Sequence, residues 1–233
     1  MIQSPQLFLL WYVAFLISLT VHEAAHAYVA LKLGDKTAAK NGQVTLNPLP
    51  HIKRELVGTI LVPLISFISS GWMLGWASAP YNLNWAKRYP KKFAFMSIAG
   101  PFANLLIVIL VILIINIGYR FGLFNAPEAV NLSSVTSSNY GGLLSNIADF
   151  LSILFSLNIM LFTFNLLPLP ILDGSKIPMF FIKPNNAEKF LEIMNDGKLL
   201  IVTLIITYYF FDYIHEPIRL FFINLLYPGI TYG

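Results

Sequence analysis

The chain has no cysteine among its 233 residues, and charged residues make up only 11% of it. The lack of thiols excludes disulfide frameworks, thiolate metal sites and cysteine nucleophiles, so a bound metal would need histidine and carboxylate ligands. A soluble domain carries about 25% charged residues, and this chain has too few to cover a globule in water. Its 57% hydrophobic residues and mean hydropathy of +0.69 therefore predict a membrane protein.

Long apolar segments run through most of the chain. They are 7–31, 56–79, 93–119 and 150–172, followed by a shorter one over 199–211. A helix needs about 20 apolar residues to cross a bilayer, so the first four have membrane length. We expect an all-α polytopic membrane protein, a bundle of four to six membrane-embedded helices. It should form a single domain over 1–233, with a core at about 7–176 and a C-terminal helical region over 177–233.

Thirteen of the fifteen basic residues follow the first, second and fourth segments. Because loops rich in Lys and Arg stay in the cytoplasm, all three basic regions should lie on the cytoplasmic side. The basic residues thus indicate topology, and nucleic acid is not an expected partner. A full crossing by 56–79 would put its two basic flanks on opposite sides. Gly58, Pro63, Gly71 and Gly75 can break that helix, so we predict a re-entrant segment on the cytoplasmic side.

A short β element is predicted before this segment, over 43–46, where Asn47 and Pro48 end the run. An extended strand at the membrane face has unpaired backbone groups. A substrate segment could pair with Val44 and Thr45, which would present its backbone to the active site. A purely structural strand is an equally good interpretation of the same residues.

The first apolar segment contains His22, Glu23 and His26 in an H-E-x-x-H pattern. Two histidines four residues apart share one face of a helix, where they can bind zinc while the glutamate serves as base. The alternative is a set of hydrogen-bonded core residues. Three ionisable groups in one turn of a membrane helix are costly unless they are paired or functional, so metal binding is the favoured interpretation.

Catalytic zinc takes three protein ligands and leaves one position for water. Candidates near the apolar segments are His51, Asp149, Asp173, Asp212 and His215. Asp173 is predicted as the third ligand, because it follows the inner end of the fourth segment, on the same side as Glu23. Pro168 and Pro170 should unwind the helix there, and irregular backbone at membrane depth is tolerated where it lines a cavity.

Three motifs carry a resemblance to a known family. They are H-E-A-A-H-A in the first segment, A-G-P-F-A-N over 99–104, and N-L-L-P-L-P-I-L-D-G over 165–174. Together they resemble the site-2 protease family of intramembrane zinc metalloproteases. Residues 34–37, 42–51 and 75–77 are similar to its compact subgroup without a PDZ or CBS domain. The resemblance covers roughly residues 8–176, in the order of the family.

The resemblance implies one Zn²⁺ per chain, held by His22, His26 and Asp173, with Glu23 as the general base. It also implies hydrolysis of a peptide bond in or near a transmembrane segment of a membrane protein substrate. We expect an integral protein of a bacterial plasma (inner) membrane, with its active site toward the cytoplasmic side. Besides the lipid bilayer and the substrate, a regulatory membrane partner is expected.

Three further polar residues are candidates for contacting the substrate or the metal ligands. Asn165 could instead cap the end of its helix, Asn104 could join two helices by hydrogen bonds, and His51 could be an interfacial histidine.

Two other functions remain as alternatives to the protease. One is a metal-binding membrane transporter, in which polar residues would be spread through several spans. The other is an inactive protease-like scaffold.

Overall fold

The computed structural model describes residues 4–233. Its four long helices are α1 (Pro5–Leu33), α6 (Pro90–Arg120), α7 (Leu143–Asn165) and α9 (Leu199–Ile223), with shorter helices between them. Each of the four has the length and apolar composition of a membrane span. At 1.5 Å per residue they are roughly 34 to 46 Å long, which exceeds the hydrocarbon thickness of a bilayer. The predicted helical membrane fold is thereby confirmed, and its four long helices are at the lower end of the four to six membrane-embedded helices expected.

Local signals fix the ends of α1. The Ser4 hydroxyl accepts a hydrogen bond from the backbone N–H of Leu7 at 3.2 Å, and Pro5 occupies the first turn. At the other end, Gly34 adopts a left-handed conformation with φ of 109°, and its N–H bonds back to the carbonyls of Ala30 and Leu31.

Helices α1, α6 and α7 pack against one another around a large apolar core. Its fully buried side chains include Trp11, Phe15, Ile115, Ile153 and Phe155. Helix α9 packs against α7 and leaves most of its apolar surface exposed, as expected for a helix that faces lipid. It also continues past the predicted end at residue 211, through Asp212 to Ile223. A hydrogen-bonded pair between Glu216 and Arg219 lies in that extension.

Short elements cover one end of the bundle. They are α2 (Thr37–Lys40), α3 (Pro48–Arg54), α5 (Leu83–Arg88), a 3₁₀ helix (Asp173–Phe180) and α8 (Pro184–Met194). Because these elements and their flanks carry the thirteen basic residues, we call it the basic end. A second core of Trp85, Phe93, Met179 and Leu191 holds it together. The buried Asp35 carboxylate accepts backbone N–H bonds from Thr37 at 2.9 Å and Asn82 at 2.7 Å, which joins two of its loops.

The predicted β element over 43–46 is wrong. These residues form a bent loop between α2 and α3, and no other segment in 4–233 pairs with them as a strand. Two local bonds hold the bend: the Gln43 amide donates to the Pro50 carbonyl at 3.1 Å, and the His51 ring bonds to the Thr45 carbonyl at 3.1 Å. A run of β-type residues forms a strand only when a neighbouring strand satisfies its backbone groups.

Residues 57–82 fold back on themselves. A π-helical turn (Val57–Leu61) leads into α4 (Val62–Ser70), and the chain then returns without regular structure over 73–82. The N–H of Trp76 donates to the Gly58 carbonyl at 3.1 Å, and the Ser78 hydroxyl donates to Glu55 at 2.6 Å. Both ends of this hairpin therefore lie at the basic end. Its helical part has 14 residues, about 21 Å, too short to cross a bilayer. Its insertion into the membrane stays a prediction.

The opposite end of the bundle consists of the α6–α7 loop over 121–142 and the C-terminal tail. The buried Tyr227 hydroxyl contacts the backbone carbonyls of Asn125 at 3.2 Å and Val135 at 3.1 Å. Near the N-terminus, the Gln6 amide donates to Asn146 at 2.6 Å. Residues 6 and 227 thus lie at the same end of the bundle. An even number of crossings, such as four, places both ends of the chain on one side.

Candidate metal centre and active site

His22 and His26 lie one helical turn apart on α1, and both are buried in the bundle. The four-residue spacing places their rings on one face of the helix, with centroids 4.6 Å apart. Their Nε2 atoms are 3.0 Å from each other. They lie seven to eleven residues before the end of α1, so the pair lies inside the bundle rather than at its surface.

Asp173 brings a third donor atom to the same point. Its Oδ2 atom lies 3.1 Å from His22 Nε2 and 3.2 Å from His26 Nε2. A tetrahedral zinc ion with bonds of 2.0–2.1 Å would have ligand atoms roughly 3.3 Å apart. The three atoms therefore form a triangle of nearly the size that one face of such a site requires.

The segment before Asp173 is irregular, as its prolines predict. Helix α7 ends at Asn165, and residues 166–172 lead without regular structure into the 3₁₀ helix. Ile171 has a φ of 76°, a left-handed conformation that a β-branched residue rarely adopts. Its N–H donates a hydrogen bond to the Met194 carbonyl at 2.9 Å. Strain of this kind persists only where surrounding contacts enforce it, and here it turns the chain just before Asp173.

Both histidines are oriented by carbonyl oxygens on α6. Nδ1 of His22 lies 2.6 Å from Oδ1 of Asn104, and Nδ1 of His26 lies 2.8 Å from the backbone carbonyl of Met96. A carbonyl oxygen only accepts, so each Nδ1 carries the proton and each Nε2 keeps its lone pair. Neutral imidazoles with free Nε2 atoms on one side are the form that binds a metal.

Asn104 is itself held by a residue that the sequence analysis missed. Its Nδ2 donates to Oδ1 of Asn158 on α7 at 2.7 Å, and Nδ2 of Asn158 donates to the Ser18 hydroxyl at 2.8 Å. Both asparagines are completely buried. The signal available in the sequence was an amide in the middle of an otherwise apolar membrane helix, which is costly unless it is hydrogen-bonded.

Glu23 lies beside this triangle with a carboxylate that the protein leaves unsatisfied. It is buried, and its Oε2 atom has no hydrogen-bond partner among the described residues. Candidate ligand atoms of His22, Glu23 and His26 all lie within 4.8 Å of one another. A buried carboxylate without partners is unfavourable unless it meets water, a metal or a substrate.

Gly100 gives space to the histidine pair. A Cβ atom at this position would lie 2.3 Å from Nε2 of His26 and 2.5 Å from Nε2 of His22. Helix α6 can therefore approach the two Nε2 atoms only with glycine here. The close grouping of the two Nε2 atoms with Asp173 Oδ2 and the orphaned Glu23 oxygen together fit a bound metal ion with a water.

Two cavities flank Glu23 and Asp173. The polar cavity has a volume of about 180 Å³ and is lined by residues that include His26, Ser97 and Lys176. The apolar cavity has a volume of about 320 Å³, and its walls include Leu161 and Phe164 of α7. The returning arm of the 57–82 hairpin contributes to both cavities.

The other predicted site residues lie at different distances from this centre. Asn165 lines the apolar cavity, while its Nδ2 donates to the Leu161 carbonyl at 3.0 Å, so it also caps α7. His51 is buried in the α2–α3 loop, and Val44 and Thr45 belong to that same loop. Of the alternative third ligands, His215 stacks on Phe211 of α9.

Comparison with known proteins agrees with this geometry. The family model for Peptidase family M50 matches residues 10–206, which include most of α1 and all of α6 and α7. The chain belongs to this family, the site-2 protease family of metallopeptidases. The family resemblance in the sequence is thus confirmed, and membership implies a zinc cofactor.

Two bacterial relatives of this M50 peptidase are candidate zinc metalloproteases by name. YwhC of Bacillus subtilis strain 168 is 34% identical over 196 residues, which cover 84% of this chain and 79% of the relative. Rip2 of Mycolicibacterium smegmatis is 26% identical over 217 residues, which cover 88% of this chain and 74% of the relative. No solved structure matches this M50 peptidase significantly.

Proposed function

We propose that this M50 peptidase is an intramembrane zinc metalloprotease that cleaves a membrane protein in or near a transmembrane segment. The observation that carries the proposal is the convergence of His22, His26 and Asp173 to within 3.2 Å beside the unpaired Glu23 carboxylate. In this proposal the three residues hold one Zn²⁺ ion and Glu23 is the general base.

The chemistry divides between the metal and the protein. When bound, zinc lowers the pKa of a coordinated water and polarises the scissile carbonyl. Glu23 accepts a proton from the attacking water and passes it to the leaving nitrogen. Asn104 and the Met96 carbonyl keep both imidazoles in the tautomer that binds the metal.

The position of the site favours a substrate within the bilayer. Glu23 lies ten residues before the end of α1, about 15 Å at 1.5 Å per residue. The apolar cavity adjoins a third cavity of about 350 Å³, with which it shares Gly75, Leu161 and Phe164. Leu204 and Tyr208 of the exposed helix α9 line that third cavity. In this proposal, an apolar polypeptide approaches Glu23 from the lipid side along these adjoining cavities.

Sidedness and cellular location belong to the same proposal. The active site lies nearer the basic end, which the positive-inside rule assigns to the cytoplasm. The bacterial origin of the relatives favours a bacterial plasma membrane. A transmembrane substrate and a regulatory membrane partner are the proposed partners.

A substrate contact by Val44 and Thr45 stays a prediction, now from a bent loop rather than a strand. Family membership does not favour the transporter or scaffold alternatives.

Glu23→Gln tests the role of the base. Glutamine keeps the size of the side chain but cannot accept the proton, so we expect normal zinc content and a fall in turnover on the order of 10²–10⁴-fold. The measurement is cleavage of a panel of single-pass membrane peptides by purified protein in detergent, with zinc counted by elemental analysis. The matched control is Glu192→Gln on the exposed face of α8, which should retain activity. Retained cleavage by Glu23→Gln would remove Glu23 as the base.

A further inference from the structure

The polar cavity contains a buried cation that the proposed mechanism does not use. Lys176 is only 6% exposed and lines this cavity together with Glu23, His26 and Asp173. It follows Asp173 by three residues in a 3₁₀ helix, which has three residues per turn. The side chains of Asp173 and Lys176 therefore project from the same edge of the helix.

The ammonium group of Lys176 has spare hydrogen-bonding capacity. A lysine has three N–H donors, and within residues 4–233 one acceptor is present, the Leu172 carbonyl at 3.1 Å from Nζ. Burial lowers the pKa of Lys176 to about 8, against the opposing influence of Asp173. A buried ammonium with free donors is unfavourable in the resting protein unless an anion or water completes its contacts.

The charges around the cavity favour an anion. The two carboxylates of Glu23 and Asp173 would balance the two positive charges of a bound zinc ion, and Lys176 adds one further positive charge. Peptide hydrolysis produces an anion at this place. The C–N bond breaks as the water oxygen bonds to the carbonyl carbon, and one water proton passes to the leaving nitrogen. The new carboxylic acid gives the other water proton to the released amine, which leaves as an ammonium, and so becomes a carboxylate.

We propose that Lys176 binds the newly formed C-terminal carboxylate of the product, and so acts as a further catalytic residue. This inference rests on the proposed function, because it places the scissile carbonyl between Glu23 and the polar cavity. A charge-assisted hydrogen bond between ammonium and carboxylate would hold the acyl-side product. Substrates should be bound more weakly at this position, since an amide carbonyl carries no full charge.

A structural role for Lys176 predicts a different pattern. Its bond to the Leu172 carbonyl could simply hold the turn that positions Asp173. The Ser175 hydroxyl donates to the same carbonyl at 2.6 Å. Ser175→Ala therefore removes a bond to this turn without changing charge, while Lys176→Gln keeps a donor for the carbonyl and removes the charge. The two variants separate the electrostatic role from the structural one.

The experiment measures binding of short apolar peptides to the full-length zinc-loaded protein in detergent, by fluorescence anisotropy. Each peptide is prepared with a free C-terminal carboxylate and as its C-terminal amide. We expect the wild-type protein to prefer the carboxylate by roughly tenfold or more. Lys176→Gln and Lys176→Met should lose this preference, whereas Lys176→Arg and Ser175→Ala should keep it. Zinc content should be the same in all five proteins.

Several results would overturn the proposal. They are an equal affinity of the wild-type protein for both peptide forms, an unchanged preference in Lys176→Gln, and a loss of preference in Ser175→Ala as large as that in Lys176→Gln. Zinc loss in Lys176→Gln would assign the residue to the structure of the Asp173 turn.

The proposed function is tested separately by cleavage of membrane peptides. A wild-type protein that prefers carboxylates but cleaves no peptide would contradict the protease and leave the anion site intact.

Discussion

Hydrogen-bonded polar side chains connect α1, α6 and α7 at the level of the candidate metal centre. The chain of contacts runs from His22 to Asn104, then to Asn158 and to Ser18. Asn158 is both an acceptor and a donor, because its Oδ1 accepts from Asn104 while its Nδ2 also donates to the Leu154 carbonyl at 2.7 Å. In the membrane interior such groups must satisfy one another, and a missing member leaves its neighbour unpaired.

Asn158→Ala tests this network at the scale of one residue. The variant removes the nearest acceptor of the Asn104 amide, so His22 should lose part of its orientation. We expect a loss of about 1–3 kcal/mol in stability and a zinc affinity lower by about 10- to 100-fold. Thermal unfolding and competition with a chelator measure these two effects. Asn116→Ala is the control, since that amide lies farther along α6 and contacts the Leu225 carbonyl. Equal zinc affinity in the two variants would contradict the orienting role.

At the scale of elements, the hairpin over 57–82 forms a wall of the candidate active site. Its two arms are in close contact because neither Gly58 nor Gly75 has a side chain. A Cβ atom on Gly75 would lie 2.3 Å from the Gly58 carbonyl oxygen and 2.4 Å from the Phe15 ring. The arm from Gly75 to Ser78 lines the apolar cavity, so its placement sets the shape of the space beside Glu23.

Gly75→Ala should displace this arm without touching the metal ligands. We expect an unchanged zinc content and a loss in kcat/KM of about 10²-fold, because small displacements of a substrate-positioning wall have large effects on rate. Cleavage of a membrane peptide and elemental analysis give both quantities. Gly197→Ala, at a position with open space around it, should behave as the wild-type protein. Full activity in Gly75→Ala would show that the arm does not position the substrate.

At the scale of the whole molecule, the hairpin decides at which end of the helix bundle the loops lie. Four long helices and a returning hairpin put the thirteen basic residues at one end, while Arg120 and Arg219 lie toward the other. This arrangement agrees with the positive-inside rule without a fifth crossing between α1 and α6.

Single cysteines test the orientation directly, because the natural chain has none. Lys53→Cys and Asn84→Cys flank the hairpin, and Glu128→Cys lies in the α6–α7 loop; all three positions are exposed. In intact bacterial cells, a membrane-impermeant maleimide should label Glu128→Cys alone. It should label the other two only after the membrane is opened. Labelling of Lys53→Cys and Asn84→Cys from opposite sides would mean that 57–82 crosses the membrane completely.

The sequence by itself determined the properties that depend on composition and on local periodicity. Few charges and long apolar segments required a membrane protein, and the four-residue spacing of His22 and His26 placed both rings on one helical face. Pro168 and Pro170 required an end to α7, since proline removes a backbone donor and clashes with the preceding turn.

The sequence predicted that Asp173 joins the two histidines, but only the tertiary structure set the distances between such distant groups. It brought Asp173 to two histidines that precede it by 147 and 151 residues, linked Asn158 to Asn104, and buried Lys176 beside Glu23. It also left 43–46 without a partner strand. These outcomes depend on how all the helices pack, because a side chain finds its neighbours across the bundle only after every helix has taken its place. No local pattern in the sequence encodes those distances.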